Sequence, residues 1–335
     1  MAPPLAGKRV AVVANPAAGR GRARRVVPGV EEALAAAGAS CATIWSERAG
    51  GIGDAVRRAA SAGPDIIALL GGDGTLHEAL PALLEAQHGT AAAAADTRSA
   101  ESALAAPRSA GGSVLLLIPS GSGNDFARAL ALPRDSLAAA RDARGWIERR
   151  VDLGRVGATP FATVAAIGFD AEVASAVLGA RWRLPGTAAY VAAAVTTLAR
   201  YRAQPLRLTG DFGVIEGRFL LIAIGNSASY GGGLHIVPEA RIDDGALDIC
   251  LVDEVSRATV LRLLPRVYSG GHVGYPFVRI VRAARVEIAS GASAEHRAPA
   301  VFADGEPATH LPATIETMPG ALRVLAPALA SAPRA

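Results

Sequence analysis

The sequence predicts two domains, an N-terminal α/β domain built on a parallel sheet and a C-terminal domain of β-sandwich type. Its 335 residues are enough for two domains. Short apolar runs alternate with helical stretches in the first half, whereas strand-like runs separated by turn residues dominate after about residue 150. We place the α/β domain at 1–148 and the β-sandwich domain at 149–314, and 315–335 could return to the first domain.

Each predicted strand of the first domain is a short apolar run that ends in a loop. The runs are KRVAVVANP (8–16), CATIW (41–45), DIIALL (65–70) and SVLLLIP (113–119). The stretch NPAAGRGRARR (15–25) is predicted as a loop leading into a helix that stops near Gly38. Further helices are predicted at 53–63 and from about Leu76, where Pro81 is tolerable in the first turns only. Residues 88–112 have low complexity and predict a surface insertion or, alternatively, an alanine-rich helix.

The second half contains six strand-like runs and two helical stretches, 171–202 and 256–269. The runs are RVDLGRVG (150–157), TPFATVAAIG (159–168), QPLRLTG (204–210), GRFLLIAIGN (217–226), ALDICLVD (246–253) and ARVEIAS (284–290). Short strands with turns between them are typical of a sandwich. We expect the cleft between the two halves to hold the functional site, because clefts between domains are the usual place for one.

Composition excludes several classes of protein. The net charge of +4 fits anionic ligands or an anionic membrane surface. The sequence has no long basic run, the pattern that would indicate nucleic-acid binding. Two cysteines make no disulfide framework, and the N-terminus lacks a secretory signal, so we expect a cytoplasmic protein. Lys8 is the one lysine, so a Walker A motif cannot exist. No G-x-G-x-x-G follows the first strand and no G-x-S-x-G elbow is present, which disfavours a dehydrogenase or a serine hydrolase.

Three glycine-rich loops follow predicted strands: NPAAGRG (15–21), GGDGTLHE (71–78) and PSGSGNDFA (119–127). In a parallel sheet all three would open on the same edge, where ligands bind. Glycines let the backbone approach a ligand, and N–H groups at helix N-termini can hold phosphate. Thr75 and Ser122 could add hydroxyl donors. The alternative is three ordinary strand-to-helix turns.

Asp73 stands inside one of these loops. Phosphate repels a carboxylate unless a cation lies between them, and Mg²⁺ is the obvious cation. Alternatively, Asp73 caps the helix that follows. His77 is either a ligand group or an exposed surface histidine.

Two acidic turns stand out in the second half, EARIDDGALD (239–248) and FADGEP (302–307). Hard oxygen ligands from a tight D-G turn suit Mg²⁺ or Ca²⁺, but D-D-G is also strong turn chemistry by itself. The second motif places Asp304 and Glu306 on either side of a glycine. A carboxylate there could accept the proton of an alcohol during phosphorylation, or the motif could be a plain hairpin turn.

The chain resembles the diacylglycerol kinase catalytic-domain family over roughly residues 8–330. The order and spacing of five segments carry the resemblance: NPAAGRG, GGDGTLHE, IPSGSGNDFAR, IGNSASYGGGLHIVPEARIDDGALDICLVD and FADGEP. That family includes bacterial diacylglycerol kinases and related lipid kinases and, more distantly, sphingosine and ceramide kinases. GGDGT alone is shared with NAD kinases and loosely with phosphofructokinases, whereas its combination with the second-half motifs is specific.

The resemblance implies an NAD kinase- or phosphofructokinase-like nucleotide domain, with ATP and Mg²⁺ bound. Asp125 would lie in the polar network behind the metal, Ser122 stands where the family often has threonine, and Ser46 is a weaker match. The residues implied in nucleotide binding are Asn15, Pro16, Ala17, Ala18, Gly19, Ser46, Gly71, Gly72, Asp73, Gly74, Thr75, Ser122 and Asp125.

The resemblance also implies a second, structural metal site and the catalytic acids. Asp244 would supply a side-chain oxygen to the metal, and Arg241 and Ala246 would supply backbone carbonyls. Catalysis would involve Asp73, Asp304 and Glu306, and which of the last two is the base stays open.

The sequence therefore predicts an ATP- and Mg²⁺-dependent lipid kinase that converts diacylglycerol to phosphatidate. Alternatives are a kinase for a sphingoid base, a ceramide-like lipid or a polyprenol, an NAD kinase, or a catalytically silent regulator that binds nucleotide or lipid. His77 stands where the family often has asparagine, which leaves the acceptor open. We expect transient docking at the membrane surface, for which GARWRLPG (179–186) is a candidate unless it is an ordinary loop. A homodimer stays open, and no nucleic-acid partner is expected.

Overall fold

The computed structural model describes residues 4–16, 18–48, 50–88, 112–179, 186–291 and 298–328. Residues 89–111 of the predicted insertion, residues 180–185 of the candidate docking segment, and Ala17 lie outside the described residues. The chain divides into two compact units. The first unit is Met1–Val151 with Gly320–Ala335, and the second unit is Asp152–Pro319.

The four apolar runs form a parallel sheet in the first unit, as predicted, and its strand order is β2–β1–β3–β4. The strands are β1 (Arg9–Ala14), β2 (Ser40–Trp45), β3 (Ile66–Gly71) and β4 (Val114–Pro119). Every residue of β3 and β4 is buried. Central strands of a parallel sheet are covered on both faces, which explains why these runs are continuously apolar rather than alternating.

The three predicted helices of the first unit begin earlier than the sequence indicated, and two further short helices were not predicted. They are α1 (Ala18–Ala36), α2 (Ile52–Ser61), α3 (Asp73–His88), α4 (Asp125–Ala129) and α5 (Ser136–Asp142). The stretch up to Arg25 that was predicted as a loop is largely helical. The amide of Leu76 donates to the carbonyl of Gly72 at 3.0 Å, so the glycines and the aspartate form the first turn of α3 instead of a preceding loop. Pro81 is therefore an interior residue of α3, not one of its first turns.

The last described strand, β15 (Ala313–Ala326), was not predicted as a strand. Its residues from Gly320 onward belong to the first unit, where Val324 pairs in parallel with Leu115 of β4. The side chain of Gln87 completes this attachment, because its amide donates to the carbonyl of Arg323 at 2.9 Å and accepts from the Arg323 amide at 2.8 Å. The buried side chain of Gln87 thus satisfies both the backbone N–H and the backbone carbonyl of Arg323.

The second unit is mainly β-structure and matches the expected sandwich-like domain. Its described strands are β5 (Ile147–Val156, shared with the first unit), β6 (Thr159–Phe161), β7 (Val164–Gly168), β8 (Gln204–Gly210), β9 (Gly213–Gly225), β10 (Leu247–Asp253), β11 (Val278–Ala283), β12 (Arg285–Ser290), β13 (Ala300–Ala303), β14 (Glu306–His310) and the first half of β15. The strands run in the order β14–β13–β7–β9–β8–β12–β15, and β10 pairs with β9 and β11. Its helices are α6 (Phe169–Gly179), α7 (Gly186–Leu198) and α8 (Arg257–Val267).

Alternating residues of β9 and β10 build two separate cores in the second unit. Ile222 and Ile249 belong to a core shared with β8, β12 and β13. Ala223 and Cys250 face the opposite way, into a core that α6, α7 and α8 cover. The period of two along a strand therefore places a helical layer on one face of the sheet and further strands on the other. Among the described residues, no helix is long and apolar enough to cross a membrane.

We expect Gln87→Glu to lower the free energy of unfolding by about 1–3 kcal/mol, because the variant loses the donor to the Arg323 carbonyl and introduces a charge into a buried site. Chemical denaturation followed by circular dichroism measures this. Gln204→Glu, at the chain's other glutamine, is the control and should change stability little. Equal stability of the two variants would contradict the role assigned to Gln87.

Candidate active site

Three glycine-rich loops open on one edge of the parallel sheet in the first unit, as predicted. They follow β1, β3 and β4, which are parallel neighbours and therefore end at the same edge. Ser46 follows β2 at this edge, and its amide donates to the carbonyl of Ala14 at 3.0 Å. The hydroxyl of Ser46 is buried and has no hydrogen-bond partner in the described part of the chain.

The loops after β3 and β4 contact each other through their backbones. A Cβ atom added to Gly121 would lie 2.7 Å from the Cα of Gly72, and one added to Gly72 would lie 2.9 Å from the Cα of Gly121. The amide of Ser120 also donates to the carbonyl of Gly71 at 3.0 Å. Both positions must be glycine because any side chain would push the two loops apart.

Asp73 is the first residue of α3, and its carboxylate reaches the neighbouring loop. Its Oδ1 atom accepts a hydrogen bond from the amide of Phe126, in the first turn of α4, at 3.2 Å. The side chain thus joins the N-terminal turns of two helices.

The loop after β4 is held by its own side chains. Asn124 has a φ of 53°, and its side-chain amide accepts from the Gly121 amide at 3.0 Å and donates to the Gly121 carbonyl at 2.8 Å. Asp125 is almost fully buried and forms an ion pair with Arg128, which also donates to the carbonyl of Gly123 at 3.0 Å. Sequence reasoning missed Arg128, although its spacing of three residues from Asp125 was a usable signal.

The remaining predicted nucleotide residues of the first unit lie at the same sheet edge. Asn15 and Pro16 follow β1, Gly74 and Thr75 are in the first turn of α3, and Ser122 is exposed. Ala18 and Gly19 are in the first turn of α1.

Asp304 of the second unit is tied into the hairpin that joins β13 to β14. Its carboxylate accepts from the amides of Ala162 at 2.7 Å, Thr163 at 2.8 Å and Val164 at 3.2 Å, and from the Thr163 hydroxyl at 2.6 Å. Its own amide donates to the carbonyl of Val164 at 2.9 Å. Asp304 therefore fixes the entry into β7.

Glu306 has a different environment from Asp304. It is the first residue of β14 and is exposed. The turn between the two acids has positive φ at both positions, 50° at Asp304 and 87° at Gly305. The geometry thus separates a carboxylate saturated with hydrogen bonds from one that faces solvent, a distinction that the motif could not make.

Asn226, which sequence reasoning did not single out, supports the same region. It is fully buried, and its side-chain amide donates to the carbonyls of Asp152 and Ala162, each at 2.9 Å. The backbone amide of Asn226 donates to the carbonyl of Thr163 at 2.8 Å. A polar residue between the apolar strand β9 and a glycine-rich loop was the available signal.

An arginine on the neighbouring strand β11, which sequence reasoning missed, contacts the predicted metal turn. Asp244 pairs with the guanidinium of Arg282 through Oδ2, and its Oδ1 accepts from the amide of Ala246 at 3.2 Å. Arg282 lies opposite Asp248 in the pairing of β10 with β11, and its Nε atom is 3.4 Å from Oδ1 of Asp248. Arg241 pairs with Asp243 at 3.3 Å.

Asp248 explains why a cation is needed at this turn. Its side chain is almost fully buried, and burial raises its pKa while the neighbouring Arg282 opposes that rise. Both oxygens of Asp244 are engaged, and no group of three acidic, histidine or cysteine residues in the described part of the chain could hold a metal ion. Arg282 thus supplies positive charge beside Asp244 and Asp248. The predicted metal site, with a side-chain oxygen of Asp244 and the backbone carbonyls of Arg241 and Ala246, stays a prediction.

Two family models together match most of the chain. The diacylglycerol kinase catalytic domain matches residues 9–156, and the YegS C-terminal NAD kinase beta sandwich-like domain matches residues 163–326. A diacylglycerol kinase of Mycobacterium tuberculosis is 34% identical over 95% of each chain. A YegS-like lipid kinase of Chromohalobacter salexigens is 32% identical over 82% of this chain and 81% of its own. A diacylglycerol kinase structure from Bacillus anthracis superposes with a TM-score of 0.67 at 21% identity, covering 95% and 97% of the two chains.

The chain belongs to the diacylglycerol kinase family of lipid kinases. It is therefore a transferase that uses ATP and a lipid as its substrates. The family that the sequence motifs resembled and the two-domain fold class are both confirmed.

Asp304→Asn should lower the free energy of unfolding by about 1–3 kcal/mol, because an amide NH₂ would replace an oxygen that accepts from backbone N–H groups. Urea unfolding of the purified variant measures this. The matched control is Asp211→Asn in the exposed turn between β8 and β9. A variant as stable as wild type would show that the Asp304 network is dispensable.

Arg282→Gln should lower the melting temperature and make it respond to divalent ions, because Asp244 and Asp248 would lose their cation. Differential scanning fluorimetry without nucleotide, in chelator, Mg²⁺ or Ca²⁺, measures both effects. Wild type should melt at the same temperature in all three solutions.

Arg279→Gln is the control for this experiment, because Arg279 lies on the same strand and forms an exposed ion pair with Asp253 at 2.9 Å. If divalent ions raised the melting temperature of wild type but not of Asp244→Asn, the predicted metal ion would bind at Asp244 after all.

Proposed function

We propose that this lipid kinase transfers the γ-phosphoryl group of ATP to the free hydroxyl of diacylglycerol and so produces phosphatidate. The observation that carries the proposal is the environment of the two acids in the β13–β14 hairpin, where Asp304 is saturated with hydrogen bonds and Glu306 is exposed. The name and identity of the Mycobacterium tuberculosis relative support diacylglycerol as the acceptor.

The first unit would bind the triphosphate. The first backbone N–H groups of α1 and α3 have no carbonyl one turn earlier in their own helix, so they are available to hold phosphate at this edge of the sheet. The contact between Gly72 and Gly121 keeps side chains out of that edge, so that phosphate oxygens can approach the backbone. Thr75 and Ser122 would add hydroxyl donors.

The described residues fit a Mg²⁺ ion that is bound mainly by ATP. Mg²⁺ commonly keeps several waters and uses one or two carboxylates together with substrate phosphates. Asp73 offers such a carboxylate at the phosphate edge, held in place by its hydrogen bond with Phe126. When bound, the ion would neutralise charge on the transferring phosphoryl group. Asp125 would stiffen the neighbouring loop through Arg128.

Glu306 would act as the general base. As the lipid oxygen bonds to the γ-phosphorus, the bond from that phosphorus to the β–γ bridging oxygen breaks and ADP leaves. The hydroxyl proton passes to the Glu306 carboxylate, which is an ordinary role for such a group. Asp304 would serve as a positioning residue that holds the hairpin.

The identity of the lipid that accepts the phosphoryl group is the most specific part of the proposal. A relative named a YegS-like lipid kinase is nearly as similar as the diacylglycerol kinase, which keeps other lipid alcohols as candidates. A lipid acceptor also requires contact with a membrane, so we propose a cytoplasmic protein that docks there transiently.

We expect Glu306→Gln to lower kcat by about 10²–10⁴-fold while ATP affinity stays within about twofold, because an amide cannot accept the proton. Transfer of label from ATP in the presence of Mg²⁺ measures kcat, and titration calorimetry measures binding. Mixed micelles of diacylglycerol, ceramide, sphingosine or polyprenol are the acceptors, with NAD in a separate reaction.

Glu287→Gln, on the exposed side of β12, is the control and should keep wild-type turnover. Unchanged turnover in Glu306→Gln would remove Glu306 as the base. Label on a different lipid would change the acceptor, and label on NAD alone would overturn the proposed lipid substrate.

A further inference from the structure

The arginines of the second unit fall into two groups. Among its described residues, seven form ion pairs: Arg155, Arg207, Arg218, Arg241, Arg279, Arg282 and Arg285. Five have no ion-pair partner there: Arg200 and Arg202 directly after α7, and Arg257, Arg262 and Arg266 on α8. The second group therefore belongs to the helices that cover one face of the sheet. We call α6, α7, α8 and the loop 268–277 the helical layer.

The helical layer also exposes large apolar side chains. Leu178 and Val195 are each 53% exposed, Leu261 is 51%, Tyr268 is 52% and Val273 is 39% exposed. In the described part of the second unit, one other large apolar side chain is this exposed. It is Val214, in the β8–β9 hairpin. Apolar exposure is thus concentrated on the face that carries the unpaired arginines.

These side chains are not needed for the core of the unit. Other residues of the same helices fill it, including Val173 of α6, Leu198 of α7, and Val260 and Leu263 of α8. Leu261 and Tyr268 are therefore additional apolar groups on the outer side of a helix whose inner side is already satisfied.

The acidic residues of the helical layer are Asp170 and Glu172 in the first turn of α6, and the rest of the layer has none. The sequence has no aspartate or glutamate between residues 173 and 210, nor between residues 255 and 286. The positive charge of Arg257, Arg262 and Arg266 is therefore not offset along the chain, and it favours an anionic partner.

We propose that the helical layer of the second unit, through Leu261, Tyr268 and the arginines of α8, docks this kinase on an anionic lipid bilayer. The inference rests on the proposed function in one respect, since a kinase for diacylglycerol must meet the bilayer that contains its substrate. Guanidinium groups would bind lipid phosphates, and the apolar side chains would enter the region just below them.

A second copy of the chain fits this surface less well than a bilayer does. In a symmetric dimer the same patch meets itself, so the arginines of α8 would face arginines of equal charge. An anionic membrane instead offers a continuous layer of opposite charge, and arginine stems can lie along its apolar boundary while the charged groups stay at the phosphates.

The test is flotation of the full-length protein with vesicles. One set contains phosphatidylcholine alone, and the other contains phosphatidylcholine mixed with phosphatidylglycerol. Wild type should bind the second set more tightly. The triple variant Arg257→Gln, Arg262→Gln, Arg266→Gln should bind it on the order of a hundredfold more weakly, at roughly fivefold per arginine. The double variant Leu261→Ser, Tyr268→Ser should also lose binding, on the order of tenfold.

Matched control variants remove similar charge or apolar surface from places outside the helical layer. Arg134, Arg141 and Arg144, changed together to Gln, remove the same charge from an exposed part of the first unit. Val214→Ser removes an equally exposed apolar group from the β8–β9 hairpin, at 51% exposure. Both controls should bind anionic vesicles like wild type.

Three results would overturn the proposal: wild-type binding by the arginine triple variant, equal binding of wild type to neutral and anionic vesicles, or a solution dimer that Leu261→Ser, Tyr268→Ser converts to monomers. Turnover of diacylglycerol in neutral detergent micelles separates this proposal from the kinase assignment. The docking variants should keep that turnover. If wild type turned over no lipid yet bound anionic vesicles through these residues, docking would stand and the proposed reaction would fail.

Discussion

Backbone N–H groups in loops must find acceptors, and this requirement shapes the loops of both units that carry the candidate site residues. Asp73 accepts from the amide of Phe126, and Asn124 accepts from that of Gly121. In the second unit, Asp304 accepts from three successive amides, and Asp152 accepts from the amide of Gly245 at 2.7 Å. Short polar side chains thus accept the hydrogen bonds from loop amides that neighbouring strands accept within a sheet. The loops can be irregular in sequence and still be held in one conformation.

The same requirement explains why acidic residues are hard to interpret from sequence. Asp304 and Glu306 stand two positions apart in one turn, yet one saturates backbone donors and the other is exposed. A motif records that both are acids, but their different surroundings come from residues far away in the chain, at 162–164. Arg282 is a similar case. It lies 38 residues from Asp244 and meets it only because β10 and β11 pair.

Much of the fold followed from local patterns. The buried runs of β3 and β4 and the glycine-rich loops after them predicted the parallel sheet and the edge where the loops meet. The errors have a common cause. Glycine and aspartate at the start of α3, and the glycines at the start of α1, have turn chemistry, so the sequence reads as loop where the chain is already helical. β15 was missed because Pro319 and Gly320 interrupt its apolar pattern, although its partners in β12 and β4 and the side chain of Gln87 stabilise it as a strand.

The path of β15 has a consequence for the order in which the protein is made. β4 and the side chain of Gln87 are contacted by Val324 and Arg323, which the ribosome adds after all of the second unit. Most of the first unit is therefore synthesised early, but its last strand is synthesised at the end. Until then β4 presents an open edge to the cell, the kind of surface that invites wrong pairing. The first unit is therefore completed only after the second unit has been synthesised.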